Sequence, residues 1–212
     1  MKHKFICVTG VDGTGKSSTI DLLKDIIGED QVCVQYMGAR LWETPVAQKY
    51  IGASILPKCN KVKLEVMRIF ALIYEMYYRI NKHRKSNKII IFDRYASEQA
   101  IFRKANAKGI YGKTSSLFYT FFLYKIFPKP NYTFYLECPI EVSINRKSDI
   151  NTKEEIAGLK RNKELLDNYY KNRRDVIVVD TSKGSQEEIA DKILNIINEK
   201  LKLNEKDITA LR

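Results

Sequence analysis

The residues best equipped for chemistry begin with Gly10-Val11-Asp12-Gly13-Thr14-Gly15-Lys16-Ser17-Ser18. Their spacing fits G-x-x-x-x-G-K-[ST], placed between an apolar run and an amphipathic one. The glycines let the backbone curl so that successive N–H groups point at one anion. The first turn of the helix that follows adds its unpaired N–H groups and positive dipole end. Lys16 can then reach the β- and γ-phosphates of a nucleoside triphosphate, and the Ser17 hydroxyl can take a place on Mg²⁺. A second group is Ile89-Ile90-Ile91-Phe92-Asp93-Arg94-Tyr95, an apolar run ending in a carboxylate and a guanidinium. Asp93 should lie at the carboxyl edge of a sheet, near the glycine loop, where it can hold Mg²⁺ directly or through water. Arg94 suits bidentate clamping of a second, acceptor phosphate. Two phosphates held in line, with cations to neutralise developing charge, is what phosphoryl transfer requires.

These groups need a scaffold that brings strand ends together. β-rich runs stand at Lys4 to Thr9, Gln31 to Tyr36, Lys88 to Phe92, Asn131 to Leu136 and Val176 to Val179. Several are nearly continuous in apolar residues, as strands buried on both faces of a parallel sheet should be. Helical periodicity fills the gaps over Lys16 to Ile27, Lys61 to Lys85 and Ser185 to Leu201, and Thr44-Pro45 reads as an N-cap with a first-turn proline. The alternation predicts an α/β fold with a mainly parallel, five-stranded sheet flanked by helices. One domain is expected over residues 1–212, with the polar segment Lys147 to Glu155 as a mobile loop. In the aromatic segment Tyr111 to Tyr135, the recurrence of Phe118, Phe121, Phe122 and Ile126 at helical spacing predicts mostly core residues. A dimer or partner surface is the second reading.

Composition narrows the class. The chain has 212 residues, 44% hydrophobic and 29% charged, which excludes a disordered or coiled-coil protein. No run approaches the roughly 20 apolar residues of a membrane span. The apolar stretch Phe5 to Val8 is too short for a signal-peptide core, so a cytoplasmic location is expected. Cys7 and Cys33 sit in strand-like runs and read as reduced core thiols. Neither cysteine nor histidine spacing suggests zinc. The net charge of +12 invites a nucleic-acid reading. The basic residues are dispersed, however, and the densest run, Lys82 to Lys85, ends a helical pattern where cations complement the dipole. No nucleic-acid or membrane partner is expected. A guanine-reading N-K-x-D is missing as well, since Asn81-Lys82-His83-Arg84 lacks the aspartate.

The chain resembles the thymidylate kinase family of nucleoside monophosphate kinases. Gly10 to Thr19 is similar to that family's GxDGxGKST loop and Asp93-Arg94-Tyr95 to its DR[YH] motif. Tyr135 to Val142 looks like YLDxxPEVA, and Val178 to Ser182 followed by Glu187-Glu188-Ile189 looks like the late VIDAS…EEV segment. The resemblance implies a three-layer P-loop kinase fold and a homodimer. It further implies ATP as donor, Mg²⁺ as metal and a nucleoside monophosphate, dTMP first, as acceptor. It assigns Gly10, Asp12, Gly13, Thr14, Gly15, Lys16, Ser17 and Ser18 to ATP, and Ser17 and Asp93 to the metal. Asp12 also approaches the acceptor sugar, and Arg94 takes the acceptor phosphate.

The departures concern the base. The family often carries Phe-Ala-Ala-Asp-Arg on its long helix; here Phe70-Ala71-Leu72-Ile73-Tyr74 puts Tyr74 at the acceptor-binding position of that arginine. Arg68, Arg79, Arg40 or Gln99 could fill the space instead. The Arg-Glu-Pro-Gly loop after the second strand is replaced by Met37-Gly38-Ala39-Arg40-Leu41-Trp42, with Trp42 assignable to core or pocket. Gly13 stands where some members have a loop arginine. Arg146, at the start of a lid near 147–155, is therefore the expected catalytic arginine. A same-fold kinase for another small acceptor, or a nucleotide-binding module with little turnover, remain alternatives.

Overall fold

The computed structural model describes residues 5–39, 41–53, 60–147 and 152–209, with side chains to residue 199. The elements run β1 Phe5–Thr9, α1 Lys16–Ile27, β2 Val32–Tyr36, α2 Pro45–Ala47 and a π-helical turn Gln48–Gly52. There follow α3 Lys61–Asn81, β3 Ile89–Asp93, α4 Ala96–Asn106, α5 Gly109–Lys125 and β4 Tyr132–Glu137. The chain continues through α6 Ile140–Asn145, α7 Lys153–Tyr170, β5 Val176–Asp180 and α8 Gln186–Thr209. The five strands form one parallel sheet in the order β2-β3-β1-β4-β5. All five strands fall where the apolar runs placed them.

Side chains alternate across this sheet and divide the core. Phe5, Cys7, Ile90 and Phe92 point to one face and pack with Leu72, Met76 and Ile80 of α3 and Tyr119 and Leu123 of α5. Ile6, Val8, Ile91, Phe134 and Leu136 point to the other and meet Ile20 and Leu23 of α1 and Ile189, Ile193 and Ile197 of α8. A third cluster joins Val11, Ile101 and Tyr135 to Leu159, Leu166 and Tyr170 of α7. Helices therefore cover both faces, which is why the strands read as unbroken hydrophobic runs. Cys7 is buried and Cys33 half-buried, both as free thiols; Cys59 lies outside the described residues. Among the described residues no helix is long and apolar enough to cross a membrane.

Two expectations change and one holds. The helix expected through Lys85 ends at Asn81, where a chain of turns carries the basic run toward β3. Thr44 does cap α2, accepting from the Ala47 N–H at 3.3 Å, but α2 lasts only three residues before the π-helical turn. In α5 the face turned inward is Ser115, Ser116, Tyr119 and Leu123. Phe118, Phe121 and Ile126 are exposed, Phe121 by 54%, and of that set only Phe122 packs partly on the core. The helix is apolar all round, so spacing alone could not choose its buried side. Ser115 turns inward where its hydroxyl accepts from Arg103 and donates to Glu65 of α3.

Candidate active site

β1 carries the chain to Thr9, and the loop then turns across the ends of β1 and β4. Gly10 passes so close to the Leu136 carbonyl that any side chain would overlap it. Gly13, at φ +87°, lies against the Ser143 backbone of α6 in the same way. Only glycine satisfies both positions. The Thr14 hydroxyl and the Lys16 ammonium both donate to the Val11 carbonyl, at 2.9 and 2.7 Å, and close the loop on itself. Gly15 then opens α1, whose first-turn N–H groups face the space above the sheet.

Asp93 ends β3 beside this loop, and the Arg94 N–H donates to the Val8 carbonyl at 2.9 Å. Arg94 is a non-glycine residue with left-handed backbone, φ 70°, a conformation costing roughly 1–3 kcal/mol that persists where surroundings over-determine it. Here they do. One guanidinium nitrogen, Nη1, donates to Glu98 Oε2 at 2.8 Å, and the other, Nη2, pairs with Asp12. Glu98 is itself buried and accepts from the Thr9 hydroxyl. Asp12 also lies 3.8 Å from Lys16, so one carboxylate bridges the two cations.

A cavity of about 410 Å³ above the strand ends is lined by Asp12, Gly13, Gly15, Lys16, Ser17, Ser18, Asp93, Arg94 and Arg146. Tyr36, Lys147 and Gln186 complete it. Gly10 and Thr14 shape the loop from beneath, without lining this space. Arg146 ends α6, and its Nη2 donates to the Thr181 carbonyl at 2.8 Å, which places it toward β5. Of the expected lid, 148–151 lie outside the described residues. Beyond them Thr152 and Glu155 form a reciprocal cap that starts α7.

The base-contact position expected at Tyr74 is corrected. Tyr74 is 52% exposed on the outer side of α3 and is not among the cavity residues, because Ile73, Glu75 and Met76 take the inward positions. Nor does Arg79 replace it: that guanidinium is buried against Glu75, 2.7 Å away. Arg68 donates to the Tyr50 carbonyl of the π-helical turn at 3.2 Å, Gln99 is half-buried on α4, and Arg40 lies outside the described residues. Trp42 packs partly on the α3 side of the core, with the Arg79 guanidinium 5.5 Å from its ring. Glu98, Tyr36 and Gln186 belong to the site without any motif announcing them. Glu98 had a signal, a carboxylate four residues after Arg94 on one helical edge.

Electrostatics set the site's protonation. Burial, and then repulsion by Arg94, lower the Lys16 ammonium to a pKa of about 8. For Arg94, burial opposes its charge, but Glu98 and Asp12 outweigh it and hold the guanidinium firmly protonated. Burial raises Asp93 above the usual carboxylate range, against the pull of Lys16 and Arg94. Asp93 Oδ1 is buried with no hydrogen-bond partner among the described residues. An orphaned carboxylate oxygen facing a hydroxyl-bearing loop fits a divalent cation. Among the described residues no three carboxylate, histidine or cysteine side chains converge on a metal. That suits a cation completed by nucleotide phosphates and water.

The Lys16 value has a measurable consequence. A bound phosphate favours the ammonium form, so the pKa of Lys16 must rise when nucleotide binds. Above pH 8 binding should therefore take up a proton, and triphosphate affinity should fall by up to about tenfold per pH unit. Well below pH 8 Lys16 is already charged, and its contribution to the pH dependence fades. Calorimetry at pH 8.5 in two buffers of different ionisation enthalpy measures this; identical heats would contradict it.

A phosphate loop after one strand and an Asp-Arg pair after its neighbour, over a parallel sheet with helices on both faces, is the layout of the P-loop nucleotide kinases. Residues 8–193 match the family model described as thymidylate kinase, and the chain belongs to the thymidylate kinase family. It is 27% identical over 181 residues to thymidylate kinase of Buchnera aphidicola subsp. Baizongia pistaciae, covering 82% of this chain and 81% of that one. It is 28% identical over 203 residues to probable thymidylate kinase 1 of Saccharolobus solfataricus, covering 94% and 99%. Among solved structures, thymidylate kinase from Candida albicans superposes with a TM-score of 0.64 at 17% identity, over 93% of this chain and 92% of that one. Deoxyadenosine kinase from M. mycoides with bound dATP gives 0.62 at 19%, over 92% and 100%. At these identities the two structures bear on the fold alone.

Proposed function

We propose that the chain transfers the γ-phosphate of ATP to dTMP, giving dTDP and ADP. The observation that carries this reading is that two separately supported cations, Lys16 on the loop and Arg94 beyond β3, face one cavity on either side of Asp12. One cation serves a donor phosphate and the other an acceptor phosphate.

The loop N–H groups and Lys16 hold the β- and γ-phosphates of ATP. Arg146 approaches from the β5 side, using guanidinium N–H groups beyond the one given to Thr181. Arg94 orients the monophosphate so that its oxygen faces the γ-phosphorus, and Asp12 accepts from the acceptor sugar. Ser17 and Asp93 would hold Mg²⁺, which when bound neutralises phosphate charge. The transferred group needs positioning and neutralisation more than covalent help, and this set supplies both. We also infer that the chain acts as one cytoplasmic kinase domain. Two copies associate through the exposed apolar faces of α3 and α5, where Phe70 and Phe118 of the same chain meet edge to face at 5.8 Å. A solution mass of one chain by sedimentation would exclude the dimer.

The reading is tested by ADP release with MgATP and dTMP, dUMP, dCMP, dGMP or UMP. Turnover with dTMP is expected. Among the described residues no side chain of α3 lines the cavity, so the thymine edge lacks the family's arginine, and a missing charged hydrogen bond costs about 1.5–3 kcal/mol. Discrimination of dTMP from dCMP, whose base presents a different hydrogen-bonding edge, should accordingly stay below about a thousandfold. Slow hydrolysis independent of any acceptor would favour a nucleotide-binding module, and turnover of none of the panel would overturn the nucleotide acceptor.

A further inference from the structure

The cavity is polarised by the strand order. Gln186, Arg146 and Lys147 stand at its β4–β5 end, the glycine loop in the middle, and Asp93 and Arg94 after β3. One residue lies further out still. Tyr36 ends β2, pairs in register with Asp93, and turns its side chain into the same cavity. Its hydroxyl makes no hydrogen bond to another described residue, and nothing above has given it a task.

Tyr36 is held with unusual firmness. Its carbonyl accepts from Gln35 Nε2 at 2.9 Å and from Arg79 Nη1 at 3.2 Å. Arg79 Nη1 also donates to the Gly38 carbonyl at 3.0 Å, and Nη2 to that of Leu41. Arg79 is fixed in turn by Glu75, and both side chains are essentially inaccessible, at 1% and 0%. The second half of the same segment hangs on Glu75, which accepts from the Glu43 N–H at 2.7 Å, the Thr44 N–H at 2.8 Å and the Thr44 hydroxyl at 2.5 Å. Gly38 lies directly against the Tyr36 ring, so closely that any side chain there would overlap the phenol. Two turns of α3 thus nail the chain that follows β2 into one course, and the phenol has little freedom to move.

Resting on the kinase reading above, we propose that the Tyr36 hydroxyl donates to the acceptor phosphate beside Arg94, and that the Arg79–Glu75 pair is its positioning device. The ligand class is a phosphate monoester. Its neighbours Asp93 and Asp12 are carboxylates, which repel an anion unless cations and neutral donors flank them. Arg94 supplies the cation, but Glu98 and Asp12 each occupy one of its terminal nitrogens. A phenol O–H on the opposite side, at the end of the cavity away from Arg146, gives the acceptor phosphate a second donor from a different strand. It does so without adding charge that would compete for ATP.

The experiment is steady-state kinetics of Tyr36→Phe, which removes one oxygen and keeps the ring on Gly38. The KM for dTMP should rise about tenfold, while the KM for ATP stays within about twofold. Thymidine, which lacks the phosphate, should inhibit parent and variant equally. Equal weakening of dTMP and thymidine would put Tyr36 on the nucleoside, and a change in ATP KM alone would put it on the donor. Either result, or no change at all, overturns the proposal. Arg79→Lys tests the positioning clause. It should raise the dTMP KM on the parent background and add little on the Tyr36→Phe background, whereas equal increments on both would overturn that clause. Failure of the parent enzyme to turn over any monophosphate would instead defeat the kinase reading itself, and the proposal with it.

Discussion

Lys16→Ala should lower turnover with dTMP by about a thousandfold or more, the scale on which positioned cations act in phosphoryl transfer. Lys16 is buried in the loop, 2.7 Å from the Val11 carbonyl, and no other ammonium reaches the middle of the cavity among the described residues that line it. The fold should survive. Thr14 still closes the loop on Val11, Asp12 keeps Arg94, and a desolvated cation has been removed. ATP should bind more weakly, by less than the loss in kcat, because the charge matters most when the γ-phosphate is in transit. Circular dichroism and thermal melting establish that the variant is folded. A folded variant with activity within tenfold of the parent would overturn the loop's role.

Arg94→Ala should reduce kcat/KM for dTMP by about a hundredfold or more. Losing a charged hydrogen bond costs about 1.5–3 kcal/mol, or roughly ten- to hundredfold. The acceptor also loses the group that orients it for attack. Most of the effect should appear as a higher KM for the monophosphate together with a lower kcat, with the ATP KM little changed. Glu98 complicates the variant, since its buried carboxylate keeps only the Thr9 hydroxyl as partner. Arg94→Lys is the companion. It retains a cation for Glu98 while losing the planar fork that grips two phosphate oxygens. If either variant loses ATP affinity and keeps acceptor affinity, Arg94 serves the donor.

How much of this was legible beforehand differs by residue. The glycine loop and Asp93-Arg94 are local strings whose meaning depends only on a preceding strand. The strands announced themselves because burial on both faces leaves no polar alternation to misread. Glu98 and Tyr36 carry no string. Glu98 matters because the fold sets it against Thr9, and Tyr36 because Arg79, far along the chain, grips the backbone around it. The long helix misled in a different way. Matching Phe70 to Tyr74 against a motif fixes sequence position, whereas the side that faces inward is decided by where Glu75 and Arg79 bury their charges. The aromatic stretch of α5 failed for a simpler reason: two apolar sides compete, and the bonds of Ser115 to Arg103 and Glu65 settle the contest.

The order of strands has a consequence for synthesis. β1 leaves the ribosome before the other four strands of the sheet, yet it occupies the centre. Phe5 must wait for Ile90, and Ile6 for Tyr132, before its edges are covered. The glycine loop waits longer still, because Gly10 leans on Leu136 and Gly13 on Ser143. A nascent chain therefore carries its nucleotide-binding string until Ser143 has been made without being able to shape it. Contacts so distant in sequence are slow to form, and the unpaired edges of an apolar strand are open to other chains meanwhile. ATP cannot chaperone this protein early; the loop that would hold it takes shape only after α6 has emerged.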